Sequence, residues 1–304
     1  MVAVSDGTME RPRRDRLSRA RALHGGLALV LVLVSVASLT VGATGVSLGG
    51  VLGKLASGEA LSRMERVVLL DIRLPRLAMG LCVGAALAIS GAVMQGLFRN
   101  PLADPGIVGV GAGAGLGAIL AIVLGSFLPA GLLAMAGGHL VPLAAFLGGW
   151  GTTLLLYRVS TRHGRTSVAT MLLAGIALAA LAGAVSGILV YLADDQQLRD
   201  LTFWGLGSLA GASWTKLSAA APIILIAIGG AALMGRGLNA LALGEATAAH
   251  IGIPVQRLKN AAILAVAAAT GAAVESTSQA SFSRETRIRS VRGRMVPPTM
   301  RVLA

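Results

Sequence analysis

The chain has 304 residues and a formal net charge of +13, yet only 13% of its residues are charged while 55% are hydrophobic. Its mean hydropathy of +0.78 excludes an ordinary soluble domain, which carries about a quarter charged residues. Aromatics make up 3% and the positive residues sit in short segments between apolar runs, so the charge is a membrane-topology signal and not a nucleic-acid surface.

Met1–His24 is polar, with six arginines against three acids. It is too charged and too long before its apolar run for a secretory signal, and Gly25–Ala43 lacks a small-x-small cleavage pattern. A cytoplasmic tail at 1–24 is expected, then a first span that is retained. Thr44–Arg76 is mixed and is expected outside the membrane; it holds Lys54, Glu59, Arg63, Glu65, Arg66, Asp71, Arg73 and Arg76. The spacing of Leu61, Met64, Val67, Val68 and Asp71 predicts a short amphipathic surface helix.

The stretch Arg73–Gly117, RLPRLAMGLCVGAALAISGAVMQGLFRNPLADPGIVGVGAGAGLG, organises the rest. Leu77–Phe98 is 22 residues without a charge, which at about 1.5 Å per helical residue just crosses a hydrocarbon core of about 30 Å. Gly80, Gly84, Ala85, Ser90 and Gly91 allow close helix contact. Asn100, preceding Pro101, is driven out of the α region, so the helix must end there. Cys82 is a packing residue, and a single cysteine excludes an intrachain disulfide.

Pro105–Tyr157 carries no formal charge and fits two spans, with the turn near Pro129–Gly131 or Gly137–Pro142. Glycines recur at 109, 111, 113, 115 and 117. The GxGxxA formed by Gly113, Gly115 and Ala118 has no βαβ context, so helix-on-helix packing is expected and not a dinucleotide loop. Arg158, Arg162, His163 and Arg165 form a basic loop before a fifth span, Thr166–Ala193. In DDQQLRDLTFWGLGSLAGASW, Trp204 and Trp214 are expected as interface anchors. Leu217–Gly235 is a sixth span. Gly237–Lys259 is polar and helix-forming in its middle. Asn260–Val274 is apolar but only 15 residues long, a marginal seventh span.

With a cytoplasmic amino terminus, the inside segments are 1–24, 99–104, 158–165 and 236–259, each with arginine or lysine. The outside segment 194–200 is net acidic. The basic segment 44–76 breaks the rule, and a docking surface would account for it. No catalytic constellation is visible: the histidines at 24, 139, 163 and 250 are scattered, and no Cys/His spacing suits a metal. Ser90–Gly91 and Ser186–Gly187 lack a facing histidine. No enzyme activity, cofactor or metal is therefore expected in this chain. The absence of charge within the spans argues against an ion-coupled secondary transporter.

Three strings in order carry a resemblance: RLPR with GAALAISGAVMQGLFRNPLADPGIVGVGAGAGLGA, then TFWGLGSLAGASW, then LNALALGEATAAHIGIPVQRLKN. From roughly Gly25 to Val274 the chain resembles the FecCD-type permeases of binding-protein-dependent ABC importers for iron–siderophores, haem and vitamin B12. The resemblance implies an all-α polytopic membrane protein of the ten-helix importer type, with about seven spans present at 25–274. It implies a homodimer around one pore in a bacterial inner (plasma) membrane. It also implies two cytoplasmic ATPase subunits that carry ATP and Mg, and a periplasmic or lipid-anchored substrate-binding protein. The cargo would be an iron chelate, siderophore or haem, with vitamin B12 as the alternative; DDQQLRDLTFWGLGSL leans slightly to haem.

By the same resemblance Arg73 and Arg76, with Arg66 as a third, dock the binding protein. Gly244, Glu245, Ala246, Ala249, His250 and Gly252 belong to the segment that couples to the ATPase. Arg99, Asn100, Pro101 and Pro105 form an inner turn at a gate. Met94, Gln95, Leu97, Phe98 and the fifth span are pore candidates by position alone. After Val274 the chain departs from the family, which continues through a glycine-rich turn, a Pro-His pair and three further helices. Residues 275–304 hold six arginines and five serines with no uncharged run above eight. A disordered, non-spanning tail is expected, either genuine or from a shifted reading frame. In the second case the chain would be a non-transporting permease fragment.

Overall fold

The computed structural model describes residues 10–42, 44–129, 131, 139–162 and 165–277. The expected tail at 275–304 lies outside them except for Glu275–Thr277, which continue a helix. Among the described residues seven helices are long and apolar enough to cross a membrane, from Leu17–Thr40 to Val255–Val274. The chain divides into two units, Met1–Leu77 and Ala78–Ala304.

In the first unit, α1 runs Glu10–Thr40, 31 residues without a break at His24. Arginine, alanine and leucine are good helix formers, so the polar tail and the apolar run share one helix. Helix α2, Leu48–Ala56, starts where Ser47 accepts the Gly50 N–H at 3.1 Å. Helix α3, Arg63–Arg66, opens with a capping box: Ser62 accepts the Glu65 N–H, and the Glu65 carboxylate accepts the Ser62 N–H. Lys54 of α2 meets that carboxylate at 2.8 Å. From α3 the chain passes unbroken through a π-helical segment, Val67–Arg73, into α4, Leu74–Phe98. The separate surface helix expected at 61–71 is thus the start of one longer helix. Met64 and Val67 are exposed, and Val68 and Leu69 are the apolar residues that bury.

In the second unit the elements are α5 (Val110–Leu124), α6 (Leu140–Ser160), a two-residue hairpin β1 (Thr161–Arg162) and β2 (Arg165–Thr166), and α7 (Val168–Leu192). They continue with α8 (Asp195–Leu206), α9 (Trp214–Ala242), α10 (Glu245–His250) and α11 (Val255–Thr277). Helix α6 begins before Pro142, so Pro142 lies in a first helical turn. The seventh span is not marginal: Val255–Lys259 are helical, which lengthens it to 20 residues. The two strands pair antiparallel with Thr161 opposite Thr166.

Helices α5 and α6 meet backbone to backbone. A Cβ on Gly113 would lie 2.4 Å from the Gly148 carbonyl oxygen, and one on Gly117 would lie 2.1 Å from that of Ala144. Residues four apart share a helix face, so Gly113 and Gly117 form the seam. Gly109 instead supplies a left-handed turn before α5, at φ +74°. A second core joins Met94 and Leu97 of α4 to Leu156, Met171, Leu241 and Val266 of α6, α7, α9 and α11. Cys82 is partly buried against the alanines of α9 and α11. Trp204 is half-buried against the cluster of Ala114, Ala118, Ala121, Val141 and Ala145, and its indole N–H has no hydrogen-bond partner among the described residues. Trp214 is exposed.

Candidate functional site

Three places gather the residues singled out in the sequence. The first lies in the Met1–Leu77 unit. Arg73 is only 7% exposed. Its Nη1 donates to the carbonyls of Leu39, of Thr40 at 3.3 Å and of Val46 at 3.0 Å, and Nη2 donates to Thr44 Oγ1 at 3.3 Å. Leu39 and Thr40 end α1, where unpaired carbonyls carry partial negative charge. Arg73 therefore caps α1 internally, and its guanidinium is not presented at a surface. That corrects the expectation of an exposed docking arginine. Arg66 and Arg76 are exposed. Sequence reasoning missed the burial because the carbonyls involved lie 27 to 34 residues away.

The second place is the turn RNPLADP. Helix α4 ends at Phe98 with two reverse bonds, Arg99 N–H to Gly96 O at 3.4 Å and Asn100 N–H to Gln95 O at 3.1 Å. That is a Schellman ending, which requires a left-handed residue at Arg99; its φ is +53°. Asn100 then accepts the Leu102 N–H at 3.0 Å, and Asp104 accepts the Gly106 N–H at 2.7 Å. Pro101 is exposed, while Pro105 is buried at the start of a 3₁₀ turn. Beside the turn is a cleft of about 520 Å³ whose lining includes Ala88, Ala92, Gln95, Asp104, Gly111 and Thr270. Its wall is mostly small and apolar, with Gln95 and Asp104 as the exposed polar groups. Of the pore candidates, Gln95 faces this cleft, whereas Met94 and Leu97 are fully buried in the core.

The third place is α10. Gly244 and Gly252 flank it at φ +115° and +86°, conformations a side chain resists. Ala248 is fully buried and anchors the helix, a role not visible in the sequence, while Glu245, Ala246, Ala249 and His250 are exposed. Leu243 and Ile251 add apolar surface at either end, 72% and 62% exposed. Glu245 Oε1 lies 2.8 Å from Lys259 Nζ, and that lysine is buried. Sequence reasoning left Lys259 at the edge of a polar loop and missed it. Among the described residues no cluster of His, Cys, Asp and Glu could hold a metal.

A mostly helical fold with, among the described residues, seven membrane-length helices and a small-residue cleft beside a proline turn is that of a polytopic α-helical membrane protein of importer-permease type. The profile of the FecCD transport family matches residues 29–279, and the chain belongs to that family. The chain is similar to the hemin transport system permease protein HmuU of Yersinia pestis. They are 41% identical over 254 residues, 84% of this chain and 73% of that one. It is also similar to the vitamin B12 import system permease protein BtuC of Salmonella paratyphi A, 38% identical over 250 residues, 82% of this chain and 70% of the other. Among solved structures it is similar to a metal-chelate type ABC transporter in an inward-facing conformation. That match has a TM-score of 0.68 and 30% identity, and covers 85% of this chain and 77% of that one.

Proposed function

We propose that this chain is the permease subunit of an ABC importer that moves an iron chelate, haem or siderophore, across a bacterial inner membrane. The observation that carries the reading is the 41% identity to the hemin permease over 84% of the chain. Vitamin B12 is the alternative cargo, favoured by 38% identity to the B12 permease over 82% of the chain. The cleft at Gln95 and Asp104 suits a bulky chelate: small apolar walls hold it weakly enough to release it. In this reading the subunit pairs with a second permease copy. The exposed face of α10 rests on a cytoplasmic ATPase that binds ATP and Mg, and Arg66 and Arg76 meet carboxylates of a substrate-binding protein. The chain itself performs no chemistry.

The test is uptake into vesicles holding the permease, its ATPase and its binding protein, with hemin, cyanocobalamin and a ferric hydroxamate offered in turn. ATP-dependent accumulation of hemin or the hydroxamate supports the proposal. Accumulation of cyanocobalamin alone selects the alternative, and ATP-independent entry of all three overturns both.

A further inference from the structure

Lys259 is a buried cation at the junction of three elements, and its side chain is 4% exposed. Its ammonium meets Glu245 Oε1 of α10 at 2.8 Å and donates to the Thr166 carbonyl of the β1–β2 hairpin, also at 2.8 Å. Gln256, one turn earlier on the same face of α11, secures the same threonine twice more. It accepts the Thr166 N–H at 2.9 Å and donates to Thr166 Oγ1 at 2.6 Å. Asn260 completes the face by accepting from Gln256 at 2.8 Å. Thr166 also shares a hydroxyl contact with Thr161 at 2.9 Å, and the next residue, Ser167, donates its N–H to Ser160 O at 2.9 Å. Thus the backbone N–H, the carbonyl and the hydroxyl of one residue between α6 and α7 are all held by α11.

We propose that Lys259 is a positioning residue that makes α10, the start of α11 and the α6–α7 hairpin one mechanical block. A displacement of α10 then reaches α6 and α7 as well as its covalent neighbours. This rests on the reading of α10 as the surface that meets an ATPase. A buried ammonium drawn away from its carboxylate loses attraction that a low-dielectric site makes large. Glu245 therefore cannot shift by several ångströms while Lys259 stays behind. Lys259 in turn carries the Thr166 carbonyl, and Gln256 carries the rest of that residue. The half-exposed Glu245 is the link nearest the surface, so the block is loaded from the side where α10 is open.

The experiment is amide hydrogen exchange on the full chain, alone and with the ATPase subunit bound, for wild type, Lys259→Met and Lys259→Arg. In the chain alone, exchange at Thr166 and Ser167 is expected to be about tenfold faster in Lys259→Met, with Lys259→Arg close to wild type. On adding the ATPase, wild type is expected to slow at both 245–250 and 161–167, whereas Lys259→Met slows only at 245–250. Equal slowing at 161–167 in Lys259→Met, or no change in the chain alone, overturns the proposal. If 245–250 does not slow in wild type, the docking of α10 fails, and with it the transmission; the chain alone still decides whether the clamp exists. Should Lys259→Met not fold, Glu245→Gln removes the ion pair and keeps the Thr166 bond. On adding the ATPase it is then expected to slow at 245–250 and not at 161–167, and equal slowing at 161–167 overturns the proposal.

Discussion

Among the described residues the buried cations are Arg73 and Lys259, and they are held by different means. Arg73 is bonded to the backbone carbonyls of Leu39, Thr40 and Val46 and to the Thr44 hydroxyl. Lys259 meets one carbonyl and one carboxylate, and the carboxylate belongs to a side chain 44% exposed. A guanidinium is a planar fork with five donors that can saturate several acceptors at once, while an ammonium acts as a compact point charge. The first arrangement is locked into main chain. The second hangs on two contacts, one of them to a carboxylate at the edge of the fold, so it ties one surface element to the interior. The difference teaches that burial of a positive charge has two uses here, a staple within one unit's main chain and a link that ties a surface helix to the interior.

The largest expected effect that would test this contrast is Arg73→Ala. It removes a charged donor from three part-buried carbonyl contacts, each worth about 1 kcal/mol, so denaturant unfolding in detergent should show a loss of about 3 kcal/mol. Arg73→Lys should recover little, because one ammonium cannot span the same acceptors. Full recovery would make Arg73 a point charge like Lys259 and erase the contrast.

Next comes the ion pair. Glu245→Ala strands a buried ammonium and should cost about 2 kcal/mol, below the range for fully buried pairs because Glu245 is half exposed. Lys259→Met removes the buried charge itself and leaves the half-exposed carboxylate and the Thr166 carbonyl unpaired, so it should cost less, about 1 kcal/mol. The reverse order, measured in the same unfolding assay, would show that the lysine's packing and not its charge matters. A smaller effect is expected at Gly42, where a Cβ would lie 2.6 Å from Arg73 Nη2. Because that guanidinium is pinned, Gly42→Ala should cost about 1 kcal/mol; a neutral result would mean that Arg73 moves freely. The smallest is a control outside both clusters. Arg99 is exposed and left-handed, so Arg99→Gly should stabilise by about 0.5–1 kcal/mol as a rise in Tm.

What was legible in the sequence was local. The stop at Asn100–Pro101 follows from sterics between adjacent residues, and α4 does end at Phe98. The glycine-flanked α10 was legible for the same reason. The glycines at 109–117 signalled packing, but their spacing of two suggested a ladder. The helical period of 3.6 puts Gly113 and Gly117 where the two backbones meet, with Gly109 one turn earlier beside Thr152. The roles of Arg73 and Lys259 were not legible. Each depends on acceptors far along the chain, such as Thr166, 93 residues from Lys259. The seventh span was read short because Arg257 and Lys259 resemble a loop in sequence, although Lys259 spends its charge inside the fold.

Sidedness is the point on which the coupling helix, the clamp and the docking arginines all depend. It is read most directly by labelling single cysteines with an impermeant thiol reagent in a Cys82→Ala background. Ser160 is buried and would be silent from either side, so Arg162→Cys and Ala249→Cys mark the expected cytoplasmic face and Gln196→Cys the opposite one; all three positions are exposed. Intact cells should label Gln196→Cys alone, and inside-out vesicles should label Arg162→Cys and Ala249→Cys. Labelling of Ala249→Cys in intact cells would contradict the account, because α10 would then face away from any cytoplasmic ATPase.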